Sequence, residues 1–309
     1  MIEMETMSKY YGDKKAVSDL SFSISEGEIV GLLGLNGAGK STILKILGCF
    51  LLPSVGRATV GGHSVATEAQ EVRKIIGYLP DTPPLYNEMT VRSYLEFVAR
   101  LKEVPATISD NIAYAMDKTN LLDVENRFIS QLSHGYRQRV GIAQALVHRP
   151  KVLILDEPIN GLDPIQIAEM RDLILSLKGQ HTVILSSHIL SEITKTCDRI
   201  LVIDQGQLVA EGSETELKAG SKADFDLRVD VKGDHAPILS QLEKIEGLSR
   251  LKTKNMDGFT QIFCHCQLDV RSQIAKTIVD MGGELVHMAK EDGELESLFF
   301  RLVKSEGKS

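Results

Sequence analysis

Residues 34–42 combine glycines, a lysine and two hydroxyl side chains in the spacing of a phosphate-binding loop. The loop follows the apolar run 29–33 and precedes a helical pattern of apolar residues. Its glycines let backbone N–H groups surround phosphate oxygens, Lys40 supplies a positive charge, and the Ser41 hydroxyl is a ligand that Mg²⁺ accepts. The helix start adds a dipole that favours anions. The predicted phosphate-binding residues are Gly34, Leu35, Asn36, Gly37, Ala38, Gly39, Lys40, Ser41 and Thr42.

Two carboxylates and a histidine follow apolar strand patterns further along the chain. Asp156 and Glu157 come directly after residues 152–155, and His188 follows the run 183–185. Because open α/β sheets bind ligands at the carboxyl ends of their strands, we expect these side chains beside the phosphate loop. There we expect Asp156 to hold a metal ion, Glu157 to deprotonate the attacking water, and His188 to hydrogen-bond the γ-phosphate.

The cysteines and the start of the chain bear on metal binding and location. Cys264 and Cys266 are separated by one residue, which places both on one face of a strand. Zinc sites normally leave two to four residues between paired cysteines and need a second ligand pair, so buried thiols are predicted instead. The first residues lack a basic segment followed by an apolar core, so a cytosolic location is expected.

Length and composition favour two globular domains. The 309 residues exceed one typical domain, and 43% hydrophobic with 25% charged residues is a globular profile. A net charge of -7 argues against a protein that chiefly binds nucleic-acid phosphates. The apolar runs are far shorter than the ~20 residues that span a bilayer, so a membrane role requires a partner chain.

The pattern of apolar residues predicts the elements that position these groups. Apolar runs at 152–155 and 183–185, separated by a helix at 165–177, are typical of buried parallel strands in a doubly wound α/β core. Short strands at 21–24 and 57–60 predict an antiparallel sheet beside it. Helices are predicted at 91–101, at 109–116 and from near Gly135. A hairpin is predicted to turn at 205–206.

A second domain is predicted after a polar linker at 213–223. Residues 225–231 alternate between apolar and charged side chains, as a half-buried strand does. The next patterns predict a helix, two strands, a helix and a strand, at 237–245, 248–252, 261–268, 270–281 and 285–288. This βαββαβ order predicts a small ferredoxin-like α+β accessory domain over 221–309, beside a nucleotide-binding domain over 1–220. A final helix is predicted through Leu298, Phe299 and Leu302.

Further motifs follow the phosphate loop in a fixed order. They are Leu-Ser-His-Gly-Tyr-Arg-Gln-Arg at 132–139, Asp-Glu-Pro at 156–158, Asn-Gly-Leu-Asp at 160–163 and Ser-Ser-His at 186–188. This set closely resembles the ATP-binding cassette (ABC) ATPases, the motor subunits of ABC transporters, over residues 1 to about 220. The resemblance implies a P-loop ABC ATPase domain with a mixed core sheet, an antiparallel β subdomain and a helical subdomain.

The resemblance also implies roles for individual residues. It implies a head-to-tail dimer in which Ser133 and Gly135 of one subunit contact the ATP held by the other, while Asp163 lies on a loop that crosses the interface. Tyr11 matches the aromatic residue that stacks on adenine, and Tyr10 is the competing candidate. ATP and Mg²⁺ are the implied cofactors, and the two ATPase subunits form either a homodimer or a heterodimer.

Two positions depart from the commonest family pattern. Asp81 stands where a glutamine usually touches Mg²⁺ and the attacking water, and an ionised carboxylate accepts but does not donate hydrogen bonds. Asp81 is therefore predicted as a metal ligand and catalytic residue that acts differently from the glutamine. His134 stands where the signature motif more often has glycine. These features resemble the exporter branch that includes gliding-motility, drug, sodium and copper-maturation ATPases.

Taken together, the resemblance implies the ATP-hydrolysing subunit of an exporter, coupled to a separate transmembrane permease. We expect it in the cytoplasm, peripheral at the inner face of the membrane, with a groove near residues 81–105 that receives the permease. The alternative is a soluble ABC ATPase acting on ribosome or nucleic-acid complexes. Such relatives usually carry two cassettes or a long coiled coil, and the acidic charge balance also disfavours that function, so no nucleic-acid partner is expected.

Overall fold

The computed structural model describes residues 1–102, 108–220, 225–233 and 235–290. The chain divides into two compact units, Met1–Ser213 and Glu214–Ser309. The strands of the first unit are β1 (Ile2–Tyr11), β2 (Lys14–Ile24), β3 (Ile29–Leu33), β4 (Val55–Val60), β5 (His63–Ser64), β6 (Ile76–Leu79), β7 (Val152–Leu155), β8 (Thr182–Ser187), β9 (Arg199–Asp204) and β10 (Gln207–Gly212). Its α-helices are α1 (Lys40–Leu47), α2 (Ala69–Ile75), α3 (Val91–Leu101), α4 (Ile108–Lys118), α5 (His134–Leu146), α6 (Pro164–Ser176) and α7 (Leu190–Thr196).

A mixed sheet forms the centre of the first unit. Across the described residues its strand order is β10-β9-β3-β8-β7-β6, and every neighbouring pair is parallel except β10 with β9. Every residue of β3 and β7 is buried, which explains their continuous apolar sequences. The predicted doubly wound core is confirmed. Because β3, β8 and β7 are parallel neighbours, the segments that follow them meet at one edge of the sheet.

An antiparallel sheet with strand order β2-β1-β4-β5 shares a hydrophobic core with α1 and the central sheet. The strands predicted at 21–24 and 57–60 are present within β2 and β4, but they do not pair with each other because β1 lies between them. The sequence of β1 does not predict a strand clearly. Its alternation of buried and exposed residues is interrupted by register shifts, and Thr6 has a positive φ of 44°.

Helices α3, α4 and α5 form the predicted helical insertion between β6 and β7. Helix α3 has the predicted bounds, and Thr90 caps it by accepting a hydrogen bond from the backbone N–H of Ser93 at 3.2 Å. Its buried residues Val91, Tyr94 and Val98 recur at helical spacing and lie on one side of the helix. Helix α5 begins after Ser133, so the start of the motif at 132–139 lies at the first turn of this helix.

The second unit contains α8 (Glu214–Gly220), β11 (Phe225–Lys232), α9 (His235–Leu242), β12 (Leu248–Met256), β13 (Phe259–Cys266), α10 (Arg271–Asp280) and β14 (Glu284–Lys290). Its antiparallel sheet has the order β12-β13-β11-β14, and β11 through β14 follow the predicted βαββαβ order. Part of the predicted linker is wrong, because residues 214–220 form α8. Cys264 and Cys266 are buried in β13, as predicted. The predicted helix through Leu298, Phe299 and Leu302 lies outside the described residues.

Candidate functional site

Residues 34–39 form the turn between β3 and α1. Gly37 and Gly39 have φ angles of 86° and 108°, a region that residues with a Cβ atom rarely adopt. A Cβ atom on Gly34 would lie 2.4 Å from the carbonyl oxygen of Ile203, so the close backbone packing also requires glycine there. Helix α1 begins at Lys40 without a side-chain cap. Its first N–H groups are therefore suited to binding an anion.

Lys40 and Glu157 form a buried ion pair beside this turn. The Lys40 Nζ atom lies 3.3 Å from Glu157 Oε1 and donates hydrogen bonds to the carbonyl oxygens of Gly34 at 2.7 Å and Leu35 at 3.3 Å. The second carboxylate oxygen, Glu157 Oε2, lies 3.0 Å from His188 Nδ1. Glu157 has a positive φ of 48°, a strained conformation that its neighbours must hold in place.

The carboxylate of Asp156 is hydrogen-bonded to the Ser41 hydroxyl. Its Oδ1 atom accepts hydrogen bonds from Ser41 Oγ at 3.1 Å and from Ser186 Oγ at 2.7 Å. Ser186 Oγ in turn accepts a hydrogen bond from the backbone N–H of Glu157 at 2.8 Å. Burial raises the pKa of Asp156, the two serine hydrogen bonds oppose this rise, and the negative charges of Glu157 and Asp81 add to it. One hydrogen-bond network thus joins the Asp156 carboxylate to the backbone of Glu157.

A cavity of about 760 Å³ brings most of the predicted site residues together. Those that line it are Tyr11, Leu35, Asn36, Gly37, Gly39, Lys40, Ser41, Thr42, Asp81, Glu157 and His188. Gly34, Ala38 and Asp156 are buried and do not line the cavity. Tyr11 lines the cavity whereas Tyr10 does not, although the two side chains are similarly exposed, at 46% and 41%.

Several residues of the site escaped the sequence analysis. Lys14 and Ala16 line the cavity but lie at the start of β2, shortly after Tyr11 and outside the phosphate loop. Asn160 belongs to the motif at 160–163, which predicts no role for it, and it also lines the cavity. Ser186 was likewise part of a motif. Ser186 lies in a strand whose residues are all buried, and this was a usable signal, because a buried hydroxyl needs a hydrogen-bond partner.

The residues that the resemblance assigns to a partner's nucleotide do not line this cavity. Ser133 begins α5 and accepts a hydrogen bond from the backbone N–H of Tyr136 at 3.4 Å. Asp163 caps α6 by accepting from the N–H groups of Ile165 at 3.0 Å and Gln166 at 2.9 Å. Gly135 and Asp163 both line a second, separate cleft of about 870 Å³. They are therefore neighbours at the surface of the first unit.

Comparisons with known proteins decide the family. The family model described as "ABC transporter" matches residues 17–160. The chain is 30% identical to the bacitracin transport ATP-binding protein BcrA of Bacillus licheniformis, over 98% of this chain and 97% of that protein. The chain belongs to the ABC transporter ATP-binding proteins. This ABC protein is also 40% identical to the daunorubicin resistance ATP-binding protein DrrA3 of Streptomyces coeruleorubidus, over 98% of this chain and 95% of that protein.

Solved structures agree with this assignment of the ABC chain. The dimeric structure of the ATP-binding cassette MJ0796, in a post-hydrolysis state bound to ADP and Pi, has a TM-score of 0.63 and 25% identity, covering 69% of this chain and 98% of that one. The ABC ATPase fold is thus confirmed, and this chain is an ATP-binding subunit of an ABC transporter. The ribosome or nucleic-acid alternative is not favoured. None of the helices in the described part of the chain has the length and apolar composition needed to cross a bilayer.

Proposed function

We propose that this ABC ATPase hydrolyses ATP in a Mg²⁺-dependent reaction and drives a separate membrane permease that works as an exporter. The observation that carries the proposal is the convergence of Lys40, Ser41, Asp156, Glu157 and His188 around one cavity and its floor. The names of two relatives, for bacitracin transport and daunorubicin resistance, support export as the direction of transport.

The polar groups of the cavity fit a divalent cation. Ser41 and Asp156 offer a hydroxyl and a carboxylate that are already hydrogen-bonded to each other, and Asp81 lines the same cavity. Mg²⁺ prefers such oxygen ligands. We infer that these three residues hold Mg²⁺. The ion would neutralise negative charge on the terminal phosphates of ATP.

Glu157 is the proposed general base for hydrolysis. Its side chain is only 11% exposed, and its two oxygens lie against Lys40 and His188. A carboxylate held in this way is positioned to accept a proton from the attacking water, while Lys40 stabilises phosphate charge. His188 uses one ring nitrogen to orient Glu157 and keeps the other for the γ-phosphate. Asp81 adds a further carboxylate at the cavity, and Tyr11 offers its ring face to adenine.

A dimer is proposed to complete each nucleotide site. We infer that Ser133 and Gly135, at the first turn of α5, bind the ATP held by a second subunit, and that Asp163 lies at the same interface. The start of α5 is suited to this role because its N–H groups and dipole favour phosphate. The second subunit is either another copy of this chain or a related ATPase chain.

An exposed aromatic surface supports docking of a permease near residues 81–105. Tyr86 and Phe97 are 47% and 36% exposed, and their ring centroids lie 5.6 Å apart. Leu101, at the end of the same helix as Phe97, is 66% exposed. Large apolar side chains grouped at a surface are typical of an interaction site. Through this contact the ATPase would lie peripherally at the cytoplasmic face of the membrane, and residues 221–309 would serve as an accessory domain.

Hydrolysis by the purified full-length chain tests the proposal. The Glu157→Gln variant removes the base but keeps the size of the side chain, so we expect kcat to fall by about 10²- to 10⁴-fold while ATP binding is retained. Omission of Mg²⁺ should abolish turnover of the unaltered chain. The matched control is Glu71→Gln, which changes an exposed glutamate that pairs with Lys74. Turnover of Glu157→Gln equal to that of this control would reject Glu157 as the base.

A further inference from the structure

His134 connects the start of α5 to the loop that follows Glu157. Its imidazole is exposed, and its Nε2 atom lies 3.0 Å from the carbonyl oxygen of Asn160. A carbonyl oxygen only accepts hydrogen bonds, so His134 must donate through Nε2–H. Glycine, the commoner residue at this position of the motif, has no side chain to make this bond.

Asn160 extends the connection to the cavity of the same subunit. Its backbone N–H donates a hydrogen bond to the carbonyl oxygen of Glu157 at 3.1 Å. Asn160 also lines the cavity that contains Lys40 and Glu157. Two consecutive hydrogen bonds therefore join the Glu157 peptide to the residue directly after Ser133.

Close packing around His134 reinforces this connection. A Cβ atom on Gly161, which has a φ of 73°, would lie 3.2 Å from His134 Nε2. A Cβ atom on Gly135 would lie 2.8 Å from the side chain of Gln166. Glycine on both sides thus allows the start of α5 and residues 160–166 to lie against each other. The hydrogen bond from His134 lies within this contact.

We propose that His134 is a positioning residue that makes the start of α5 and the 160–163 loop move as one piece. The inference rests on the proposed dimeric ATPase. In that dimer, Ser133 and Gly135 face the partner's nucleotide, whereas Glu157 and Asn160 belong to the cavity of their own subunit. A change at one nucleotide is then transmitted to the other through the His134 side chain. This role is specific to a chain with a hydrogen-bond donor at position 134.

The test compares His134→Ala with His134→Gln in the full-length chain. Alanine removes the donor, while the glutamine amide restores an N–H group that reaches the Asn160 carbonyl. With Glu157→Gln as background, we expect His134→Ala to weaken ATP-driven dimerisation by about three- to tenfold, the factor for one neutral hydrogen bond. Without that background, kcat should fall by a similar factor. The affinity of the monomer for a fluorescent ADP analogue should stay unchanged.

The control is His63→Ala, which removes a partly exposed histidine that hydrogen-bonds Glu68 and lines neither cavity. Recovery of dimerisation and kcat by His134→Gln supports the proposal. Equal behaviour of His134→Ala and the parent overturns it. Equal impairment of both variants with a lower thermal midpoint also overturns it, because His134 would then only stabilise the fold. If the Glu157→Gln parent binds ATP but never dimerises, the proposed function itself fails, and the inference falls with it.

Discussion

At the scale of single residues, Ser186 joins the Asp156 carboxylate to the backbone of Glu157. Its hydroxyl donates to Asp156 and accepts from the backbone N–H of Glu157, and the residue is fully buried. A buried polar group that loses its partner costs about 1 to 3 kcal/mol. This serine is therefore central to the geometry of the site, although Ser186 itself does not line the cavity.

Ser186→Ala should lower both stability and turnover. Without the hydroxyl, the N–H of Glu157 is left unpaired, so we expect the free energy of unfolding to fall by about 1 to 3 kcal/mol. Glu157 also loses a support for its strained backbone, so kcat should fall while ATP affinity changes little. Urea unfolding and steady-state kinetics measure both effects. Ser176→Ala is the control, because Ser176 only bonds the Leu173 carbonyl within α6. Equal effects of the two variants would show that Ser186 does not position Asp156 and Glu157.

Asp81→Asn should change the metal dependence of hydrolysis. The substitution removes one negative charge beside Asp156 and keeps the size of the side chain. We expect ATP affinity to be retained, and the Mg²⁺ concentration that gives half-maximal rate to rise, because a carboxylate binds Mg²⁺ more strongly than an amide oxygen. Calorimetry and a Mg²⁺ titration of the rate measure these quantities, with the exposed Asp257→Asn as control. An unchanged Mg²⁺ requirement and rate would exclude Asp81 from the mechanism.

Residue types alone predicted the parts of the site that lie in continuous motifs. The glycines, Lys40 and Ser41 are adjacent in sequence, and their types are imposed by phosphate chemistry. Lys14 and Ala16 line the same cavity but lie at the start of β2, so only the folded chain shows that they are neighbours of the phosphate loop. Tyr11 lines the cavity and Tyr10 does not, and the stacking of Tyr11 on adenine stays a prediction.

At the scale of secondary structure, buried runs were the reliable signals. Strand β7 and helix α3 have the predicted bounds, because each pattern is regular and each end is marked by a turn or a cap. Strand β1 was not predicted, since its bulges break the alternation of apolar residues. The linker prediction failed at 214–220 because a short polar helix and a loop have similar compositions.

A histidine at the end of the α5 region makes stability depend on pH. Burial, and then the nearby positive charge of Lys102, lower the pKa of His148 from 6.5 to about 4. Its Nε2 atom bonds the Ile76 carbonyl at 2.8 Å, and its buried Nδ1 has no partner among the described residues. Between pH 6.5 and about 4 the unfolded histidine binds a proton that the folded one does not. Stability contributed by His148 is therefore lost as the pH falls through this window.

His148→Gln should reduce this pH dependence, because glutamine donates to the Ile76 carbonyl but does not titrate. Between pH 7 and pH 4, we expect the free energy of unfolding of the parent to fall by on the order of 2 to 3 kcal/mol more than that of the variant. Urea unfolding at several pH values gives the difference. Parallel profiles for the parent and His148→Gln would show that His148 titrates normally in the folded chain.

At the scale of the whole molecule, the exposed surface near α3 should bind the permease. Leu101→Glu places a charge on a residue that is 66% exposed, so the free chain should keep its stability and ATP affinity. We expect this variant to lose co-purification with the co-expressed permease, because a buried charge opposes docking. Leu175→Glu on α6 is the control, and Leu175 is 38% exposed. Co-purification of both variants at the parent's level would place the permease elsewhere.

In the proposed dimer, two subunits enclose ATP between the phosphate loop of one and the start of α5 of the other. Sedimentation of full-length Glu157→Gln with Mg²⁺ tests this arrangement, first without nucleotide, then with ADP, then with ATP. We expect a monomer in the first two conditions and a dimer with ATP, and we expect the added Ser133→Arg substitution to abolish the dimer while ATP still binds. A chain that binds ATP and remains monomeric, or a dimer that is indifferent to ATP and to Ser133→Arg, would contradict it.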